Sequence, residues 1–188
     1  FKEETNMANT DAPFGFRPSG KVGGNPDNGA LSQYHIDDGN STAMFQGDLV
    51  EFASGYIIKA AVADAGLMVF AGHTFTDQTT GKPTFKNFYA GNDLDVDSEC
   101  FVYDDPYQVY EAQGDTAATQ AMVGTYMDHD ATHSGSTSTG ISGEEIDVSD
   151  SGTTLTGVKM LGLAKTPGNA FGAANVLRCF IAEPAHVV

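Results

Sequence analysis

The sequence predicts an all-β fold, either a small β-barrel or a β-sandwich, with an extended N-terminal arm and at most one short helix. Short runs of strand-forming residues recur along the chain, and turn residues separate them at a spacing of about 8–12 residues. The regular alternation of strands and helices that marks a parallel α/β fold is absent. We therefore expect residues 30–188 to form a single β domain.

The strand signals begin at residue 31 and continue to the end of the chain. Apolar–polar alternation or a continuous apolar run predicts strands at residues 31–36, 43–53, 56–63, 67–75, 99–103, 107–112, 123–127, 155–164 and 175–182. Residues 144–148 form a short acidic segment before a turn. The 67–75 run is almost entirely apolar, which indicates a strand buried on both faces. Gly47 and Asp48 interrupt their run and predict a bulge or tight bend. Residues 83–89 have aromatic rings out of strict alternation and predict a weak strand or a loop.

Two segments differ from this strand pattern. Residues 114–122 place Asp115 at the position of an N-cap before an alanine-rich stretch, so this is the one candidate position for a short helix. Residues 130–143 are rich in Ser, Thr and Gly and low in complexity, which indicates a long, flexible surface loop.

Residues 1–29 are predicted to form an extended arm, because they are rich in proline and glycine and show no strand or helix periodicity. The rings of Phe14 and Phe16 lie two positions apart and point the same way if the backbone is extended. The flanking residues Pro13 and Pro18 favour an extended backbone. We expect this apolar segment to grip a neighbouring subunit; the alternative is an arm folded onto its own domain. The candidate neighbour-binding residues are Pro13, Phe14, Phe16, Arg17 and Pro18.

The charge balance excludes some classes of partner. The formal net charge is -16, and the chain has only 9 basic residues. No basic stripe is available for phosphates, so we expect no nucleic-acid partner and no binding to an anionic membrane. No apolar run reaches transmembrane length and no signal peptide is visible. The acidity favours solubility and repulsion between free subunits, and it leaves cations or a basic partner as possible ligands.

The cysteines and the start of the chain carry two smaller expectations. Cys100 and Cys179 lie in apolar runs without metal-binding spacing, so we predict buried free thiols, with a disulfide as the alternative. Residues 7–9 read as a natural start, so residues 1–6 are either an upstream extension or a processed product.

One group of side chains has the composition of a metal site. Asp128, His129, Asp130 and His133 offer carboxylates and imidazoles, which are suitable ligands. Spacing places no further ligand beside them, and a solvated loop explains the same residues. We predict no bound metal at this group.

The remaining carboxylates make poor sites. Asp93, Asp95 and Asp97 alternate like a calcium loop but lack its central glycine and terminal glutamate, so a solvent-facing acidic edge is the alternative. Asp104 and Asp105 are adjacent, so they point apart in an extended chain and form a poor acid–base pair. No nucleophile elbow or phosphate-binding loop is present. We therefore predict a protein without catalytic residues or a cofactor.

The N-terminal sequence MANTDAPFGFRP, residues 7–18, resembles the start of small structural proteins of marine tailed phages, the head decoration or cement proteins. Later segments fit the same resemblance: residues 44–48 before a strand, 104–106 before an aromatic strand, 111–113 at its end, and 167–169 before the last strand. The resemblance spans most of the chain, and residues 7–18 are its most specific part.

The resemblance implies a virion protein on the outer surface of an icosahedral capsid, where it clamps neighbouring major-capsid subunits. Such proteins assemble as trimers or dimers, and we expect a trimer in preference to a dimer. They have no active site, and an extended arm is a common way for them to reach neighbours. Composition leaves three alternatives open: a virion-surface module that binds a glycan or calcium, a head or tail fibre component, and a hydrolase whose site is assembled from distant residues.

Overall fold

The structure, a computed structural model, describes residues 9–24, 29–91 and 95–186. These residues form strands β1 to β14, two 3-10 turns and no α-helix. The prediction of an all-β fold is confirmed. The strand bounds are β1 Arg17–Lys21, β2 Ser32–His35, β3 Met44–Phe45, β4 Leu49–Ala53, β5 Tyr56–Lys59, β6 Met68–Asp77, β7 Pro83–Lys86, β8 Phe88–Tyr89, β9 Asp95–Tyr103, β10 Gln108–Gln113, β11 Tyr126–Asp130, β12 Glu145–Gly152, β13 Val158–Leu163 and β14 Val176–Ile181.

The strands form two six-stranded sheets and one small pair. The first sheet has the order β1-β10-β14-β13-β11-β12, and the second has the order β2-β9-β6-β4-β5 with β7 also paired to β6. Strands β3 and β8 form the separate pair. Neighbouring strands are antiparallel throughout, and neither sheet closes on itself among the described strands. The architecture is therefore that of a β-sandwich and not of a barrel.

The main core lies between the two sheets. Alternate side chains of the first sheet, including Tyr110, Ile146 and Leu177, pack against Leu49 and Val69 of the second. All five are almost completely buried. Each fully buried side chain of this size contributes roughly 1.5–3 kcal/mol before the cost of ordering it, so this cluster holds the two sheets together.

A second core lies on the opposite face of the second sheet. Val50, Met68 and Phe70 point to this face and pack with Met44 and Tyr89 from the β3–β8 pair. Strand β6 is thus buried on both faces, which explains its continuously apolar sequence. The β3–β8 pair covers a surface that would otherwise be exposed, and it includes part of the segment for which the sequence predicted only a weak strand or loop.

The segment in which a short helix was the candidate does not form one, which agrees with the prediction of at most one short helix. Residues 114–122 contain only a 3-10 turn, Gln120–Met122, capped by Thr119 without a side-chain hydrogen bond. Asp115 Oδ1 instead accepts a hydrogen bond from the backbone N–H of Val148, 2.8 Å away. The carboxylate therefore binds the backbone of strand β12 and does not cap a helix.

The predicted boundary between an arm and a domain at residue 29 is also corrected. Residues 17–21 form β1, an edge strand of the first sheet, and pair with β10 in a register that joins Arg17 to Glu111 and Lys21 to Gln108. The ring of Phe16 is 1% exposed and belongs to the main core. This part of the segment follows the alternative, an arm folded onto its own domain. Residues 1–8 and 25–28 lie outside the described residues.

Both cysteines are buried and free, as predicted. Burial raises the pKa of Cys100 and of Cys179 to about 12, which disfavours the thiolate form at neutral pH. No helix among the described residues is long and apolar enough to cross a bilayer.

Candidate subunit-binding surface

The segment that carries the predicted binding residues crosses the turn between β3 and β4. The backbone N–H of Phe16 donates to the carbonyl oxygen of Gly47 over 2.9 Å. The N–H of Gly47 donates to the carbonyl oxygen of Phe70, also over 2.9 Å. The approach is close: a Cβ added at Gly15 would lie 2.7 Å from the Gly47 oxygen and 2.5 Å from Ser142 Cβ. Glycine at these two positions therefore lets the N-terminal segment lie directly on the turn.

Gly15 also sets the directions of the two neighbouring rings. Its φ is +69°, in the left-handed region that glycine adopts without steric cost. The backbone is therefore not extended between Phe14 and Phe16, and the two rings do not point the same way. Phe16 enters the core beside Leu49 and Val69, so the prediction that its ring docks on a neighbouring subunit is wrong.

Phe14 lies at the surface and is half-buried. The guanidinium of Arg17 lies over its ring, 4.7 Å from the centroid. Arg17 Nη2 is also 3.0 Å from Glu111 Oε2, and the Arg17 side chain is 62% exposed. A stacked cation of this kind contributes about 0.5–1 kcal/mol at an exposed site, so it orients the ring without removing it from the surface.

Two hollows flank Phe14. One has a volume of about 180 Å³ and the other about 380 Å³, and both are lined by Phe14 and Ile141. The first is lined by Phe14, Phe16, Arg17, Pro18, Gln46, Gly47, Phe70, Tyr103 and Ile141. The second is lined by Pro13, Phe14, Ser134, Gly135, Ser136, Thr139, Ile141, Ser142 and Gly143.

We call the outward-facing residues Pro13, Phe14, Arg17, Pro18 and Ile141 the Phe14 surface.

Four of the five predicted binding residues therefore lie together on the Phe14 surface, and the fifth, Phe16, helps to line one hollow from below. The sequence reasoning missed Ile141, which is 42% exposed. It belongs to the loop that was expected to be flexible, but that loop folds back onto the β3–β4 turn: Gln46 N–H donates to Gly140 O, and Ser142 N–H donates to Gln46 O, both over 3.0 Å. The only signal in the sequence was one large apolar residue within a polar run.

Strand β1 continues from this surface and forms an edge of the first sheet. It pairs with β10 on one side and has no partner strand on the other among the described strands. Lys21 Nζ lies 2.5 Å from Asp105 Oδ2 and anchors the far end of the strand. The hydrogen bond from Lys21 lowers the pKa of Asp105. The strand is thus held at both ends, while its outer backbone edge faces away from the sheet.

The four side chains that were considered as metal ligands form two separate pairs. His129 is completely buried, with Nδ1 3.2 Å from Asp128 Oδ1, whereas His133 is exposed, with Nδ1 3.4 Å from Asp130 Oδ2 and 3.5 Å from Glu145 Oε2. Burial lowers the pKa of His129, but Asp128 and the charge of Glu144 more than offset this, so its pKa is raised. No group of three or more His, Cys, Asp or Glu side chains fit to hold a metal ion occurs within the described ranges.

The other candidate carboxylates also lie apart. Asp104 Oδ2 accepts a hydrogen bond from the Tyr34 hydroxyl over 2.8 Å and lies 3.1 Å from His186 Nε2, while Asp105 pairs with Lys21. The two adjacent carboxylates thus contact different partners, as expected for neighbours in an extended chain.

The calcium alternative rests on side chains that the structure does not fully describe. Asp93 and the side chain of Asp95 lie outside the described residues. Asp97 is exposed and has a φ of +57°.

Comparison with known proteins adds no family to this geometry. No protein-family model, no curated protein and no solved structure matches the chain.

Proposed function

We propose that this chain is a capsid decoration protein, which binds the outside of an icosahedral head and clamps neighbouring major-capsid subunits. One observation carries the proposal: the N-terminal segment with the phage-like sequence places Phe14, Arg17 and Pro18 together on an exposed surface between two hollows. Half-buried aromatic rings and arginines beside a pocket are the residue types that dominate binding energy at protein interfaces.

The proposed mode of binding differs from the arm that the sequence suggested. Because Phe16 is part of the core, the segment does not reach out with two rings. It forms a fixed surface instead, into which a neighbouring subunit inserts a side chain beside Phe14. A preformed surface loses less conformational entropy on binding than a free arm does.

The outer edge of β1 offers a second means of contact. An extended segment of a neighbour can pair with an open edge strand through backbone hydrogen bonds, and side-chain pockets next to the strand then add specificity. The Phe14 surface lies at the start of this strand. Many copies on one shell then act together, so a modest affinity per copy is sufficient.

The proposed partners are the major capsid protein and other copies of this chain, with a trimer preferred to a dimer. The net charge of -16 keeps free subunits apart in solution. A decoration protein with this charge is expected to assemble on the shell more readily than in free solution. Light scattering of the purified chain, compared with subunit stoichiometry on the head, tests this order of assembly.

The binding experiment uses expanded heads of the encoding phage that lack this protein. Co-sedimentation of the purified wild-type chain with these heads is compared with that of Phe14→Ala and Arg17→Ala. Each substitution is expected to weaken binding by at least about tenfold, because each removes an anchor of the surface. Leu155→Ala is the matched control, since Leu155 is an exposed apolar residue that is 51% accessible and does not line the hollows.

Wild-type binding by both variants would contradict the role of the Phe14 surface. Failure of the wild-type chain itself to bind expanded heads would contradict the decoration function. Binding to a tail fibre or to a glycan instead would support a role as a fibre component or as a glycan-binding module in place of the decoration function.

A further inference from the structure

A charged cluster is enclosed where the two sheets meet. Asp48 lies in the turn before β4, Lys59 ends β5, and Glu144 immediately precedes β12. Both carboxylate side chains are 0% exposed, and the Lys59 side chain is 14% exposed. None of these residues belongs to the Phe14 surface, and the sequence pattern indicated only a bend at Asp48 and no charged site. We call these three residues the charged cluster.

The amine lies in contact with both acids. Lys59 Nζ is 3.0 Å from Asp48 Oδ2 and 3.1 Å from Glu144 Oε1. Backbone N–H groups hold one oxygen of each acid: Phe45 donates to Asp48 Oδ2 over 2.9 Å, and Leu49 donates to Glu144 Oε2 over 2.8 Å. Asp48 Oδ1 is buried and has no hydrogen-bond partner among the described residues.

We propose that Lys59 and Asp48 join spontaneously in an intramolecular amide bond, with Glu144 as the group that transfers the protons. A primary amine held against a carboxyl group in a dry site has a very high effective concentration, on the order of 10⁵–10⁸ M for well-oriented groups. Lys59 Nζ lies 3.0 Å from Asp48 Oδ2, so the amine and the carboxyl group are held in contact as this proximity effect requires.

The reaction is a condensation and needs no oxidant or other reactant. The Lys59 ammonium and the Asp48 carboxylate become an amide and one water molecule. Nζ gives up two protons in turn, Glu144 receives each and passes it to Asp48 Oδ1, and that oxygen leaves as water. The bond formed is Nζ–Cγ, the bond broken is Cγ–Oδ1, and Glu144 ends in its starting state.

The backbone around Asp48 is placed to assist this step. Negative charge develops on the retained oxygen Oδ2 while Cγ is tetrahedral. The N–H of Phe45 already donates to Oδ2 over 2.9 Å, which is the arrangement that stabilises such an oxyanion in acyl-transfer enzymes. The oxygen that must leave, Oδ1, is the one that no described group holds.

Glu144 has the properties of a proton carrier. Burial raises the pKa of Glu144 to about 7, and the charge of Asp48 adds to this while Lys59 and His129 oppose it. A carboxyl group with such a pKa both accepts and releases a proton near neutrality. Burial lowers the pKa of Lys59, but the two carboxylates outweigh this and raise it. The amine is therefore freed by transfer to Glu144 within the cluster and not by loss of a proton to solvent.

The position of Glu144 also decides which acid is acylated. Asp48 and Lys59 lie on one hairpin, where Val50 pairs with Lys59 and Ala60 N–H donates to Leu49 O over 3.0 Å. The oxygen of Glu144 that faces the amine, Oε1, accepts no backbone hydrogen bond among the described residues. Glu144 thus suits proton transfer, and Asp48 suits acylation.

The product removes an energetic cost. Two buried carboxylates and one ammonium have lost most of their hydration, and the attraction between them offsets only part of this desolvation free energy. A neutral amide between Lys59 and Asp48 eliminates one buried pair of charges. Expulsion of the water from a closed site then favours the product over hydrolysis.

The test is the intact mass of the purified chain under denaturing conditions, followed by tryptic mapping. The wild-type chain is expected to be lighter by the mass of one water molecule. Trypsin is expected not to cleave after Lys59, and fragment spectra should join Lys59 to Asp48. Lys59→Arg keeps the positive charge without the primary amine and is expected to have its full calculated mass.

Glu144→Gln tests the proton carrier. It leaves both reacting residues in place, and the rate of linkage is expected to fall by at least about a hundredfold, in line with the loss of a general acid–base group. Thermal unfolding of both variants checks that they fold. Since all of these measurements use the purified chain alone, their outcome is independent of capsid binding.

Several results would overturn the proposal. One is a wild-type chain of full mass with a cleavable Lys59 after prolonged incubation at neutral pH. Another is water loss confined to a cyclic imide at Asp48, with Lys59 still free. A bond between Lys59 and Glu144 would overturn the assignment of the two acids.

Discussion

The Phe14 surface and the charged cluster both lie beside the turn between β3 and β4, but the first is open to solvent and the second is enclosed. Gln46 and Gly47 help to line a hollow that is open to solvent, whereas Asp48, the next residue, points into an enclosed group of charges. The surface is built largely from one contiguous stretch of sequence. The charged cluster joins residues that are far apart in sequence, since the hydrogen bond from Leu49 to Glu144 spans 95 positions. The difference separates what local patterns can indicate from what only the fold can assemble.

The largest change in stability is expected when the cation of the charged cluster is removed. Lys59→Met leaves Asp48 and Glu144 facing each other without a positive charge. Breaking a buried ion pair in this way costs about 3–5 kcal/mol of unfolding free energy relative to wild-type chain that has not yet formed the Lys59–Asp48 amide, measured by urea denaturation; in linked wild-type chain the lost cross-link adds to this difference. Asp150→Ala is the control, because Asp150 is exposed, and its change is expected to stay within about 0.5 kcal/mol. Equal stability of Lys59→Met and the wild-type chain would mean that the cluster does not hold the sheets together.

The two rings of the N-terminal segment provide the next comparison. Phe16→Ala removes a ring that is 1% exposed in the core and is expected to destabilise the chain by about 3–5 kcal/mol. Phe14→Ala removes a half-buried ring and is expected to cost at most about 1 kcal/mol, mainly through the lost contact with Arg17. Urea denaturation of both variants measures the difference. Similar costs for the two substitutions would contradict the assignment of one ring to the core and one to the surface.

A pH effect of intermediate size follows from Glu144. Its folded pKa is raised from 4.5 to about 7 by burial, so the folded state retains a proton that the unfolded state has lost. Its stabilising contribution is fully present below the unfolded pKa and disappears as pH rises through the folded value. His129 acts in the same direction, because its pKa is raised from 6.5.

Unfolding free energy is therefore expected to decline by roughly 1–3 kcal/mol between about pH 5 and about pH 8. Glu144→Gln is expected to remove most of this slope and leave the smaller part that belongs to His129. Asp150→Asn, at an exposed carboxylate, is the matched control and should retain the full slope. A rise in stability over the same range would show that Glu144 is ionised in the folded state.

The smallest effect is expected at Arg17. The Arg17–Glu111 pair is exposed on the arginine side, and such pairs contribute about 0–1 kcal/mol. Arg17→Ala should therefore change stability by less than about 1 kcal/mol and diminish further in high salt, as measured by thermal unfolding. A large loss of stability would mean that Arg17 supports the fold of β1, and any weaker binding by this variant would then be indirect.

Much of the sandwich could be predicted from the sequence, because strand patterning is local. The continuous apolar run in β6 indicated burial on both faces, and the Gly47–Asp48 break marked the turn between β3 and β4. The apolar surroundings of Cys100 and Cys179 indicated free buried thiols. Each of these features depends on a few consecutive residues and their alternation.

The errors arose where distant contacts override a local pattern. The two phenylalanines read as one apolar face only if the intervening glycine is extended, and Gly15 is not. Asp115 read as a helix cap, but its carboxylate is used by the N–H of Val148. Ile141 and Glu144 acquire their roles only when their segment folds onto the β3–β4 turn.

Hydroxyl-radical footprinting with mass spectrometry most directly tests the proposal that the Phe14 surface contacts a neighbouring subunit while Phe16 belongs to the core. The chain is oxidised free in solution and bound to expanded heads, and the modification of each ring is compared. Phe14 is expected to be oxidised in the free chain and protected in the bound chain, and Phe16 to be unreactive in both. Equal oxidation of Phe14 in the two states, or ready oxidation of Phe16 in the free chain, would contradict it.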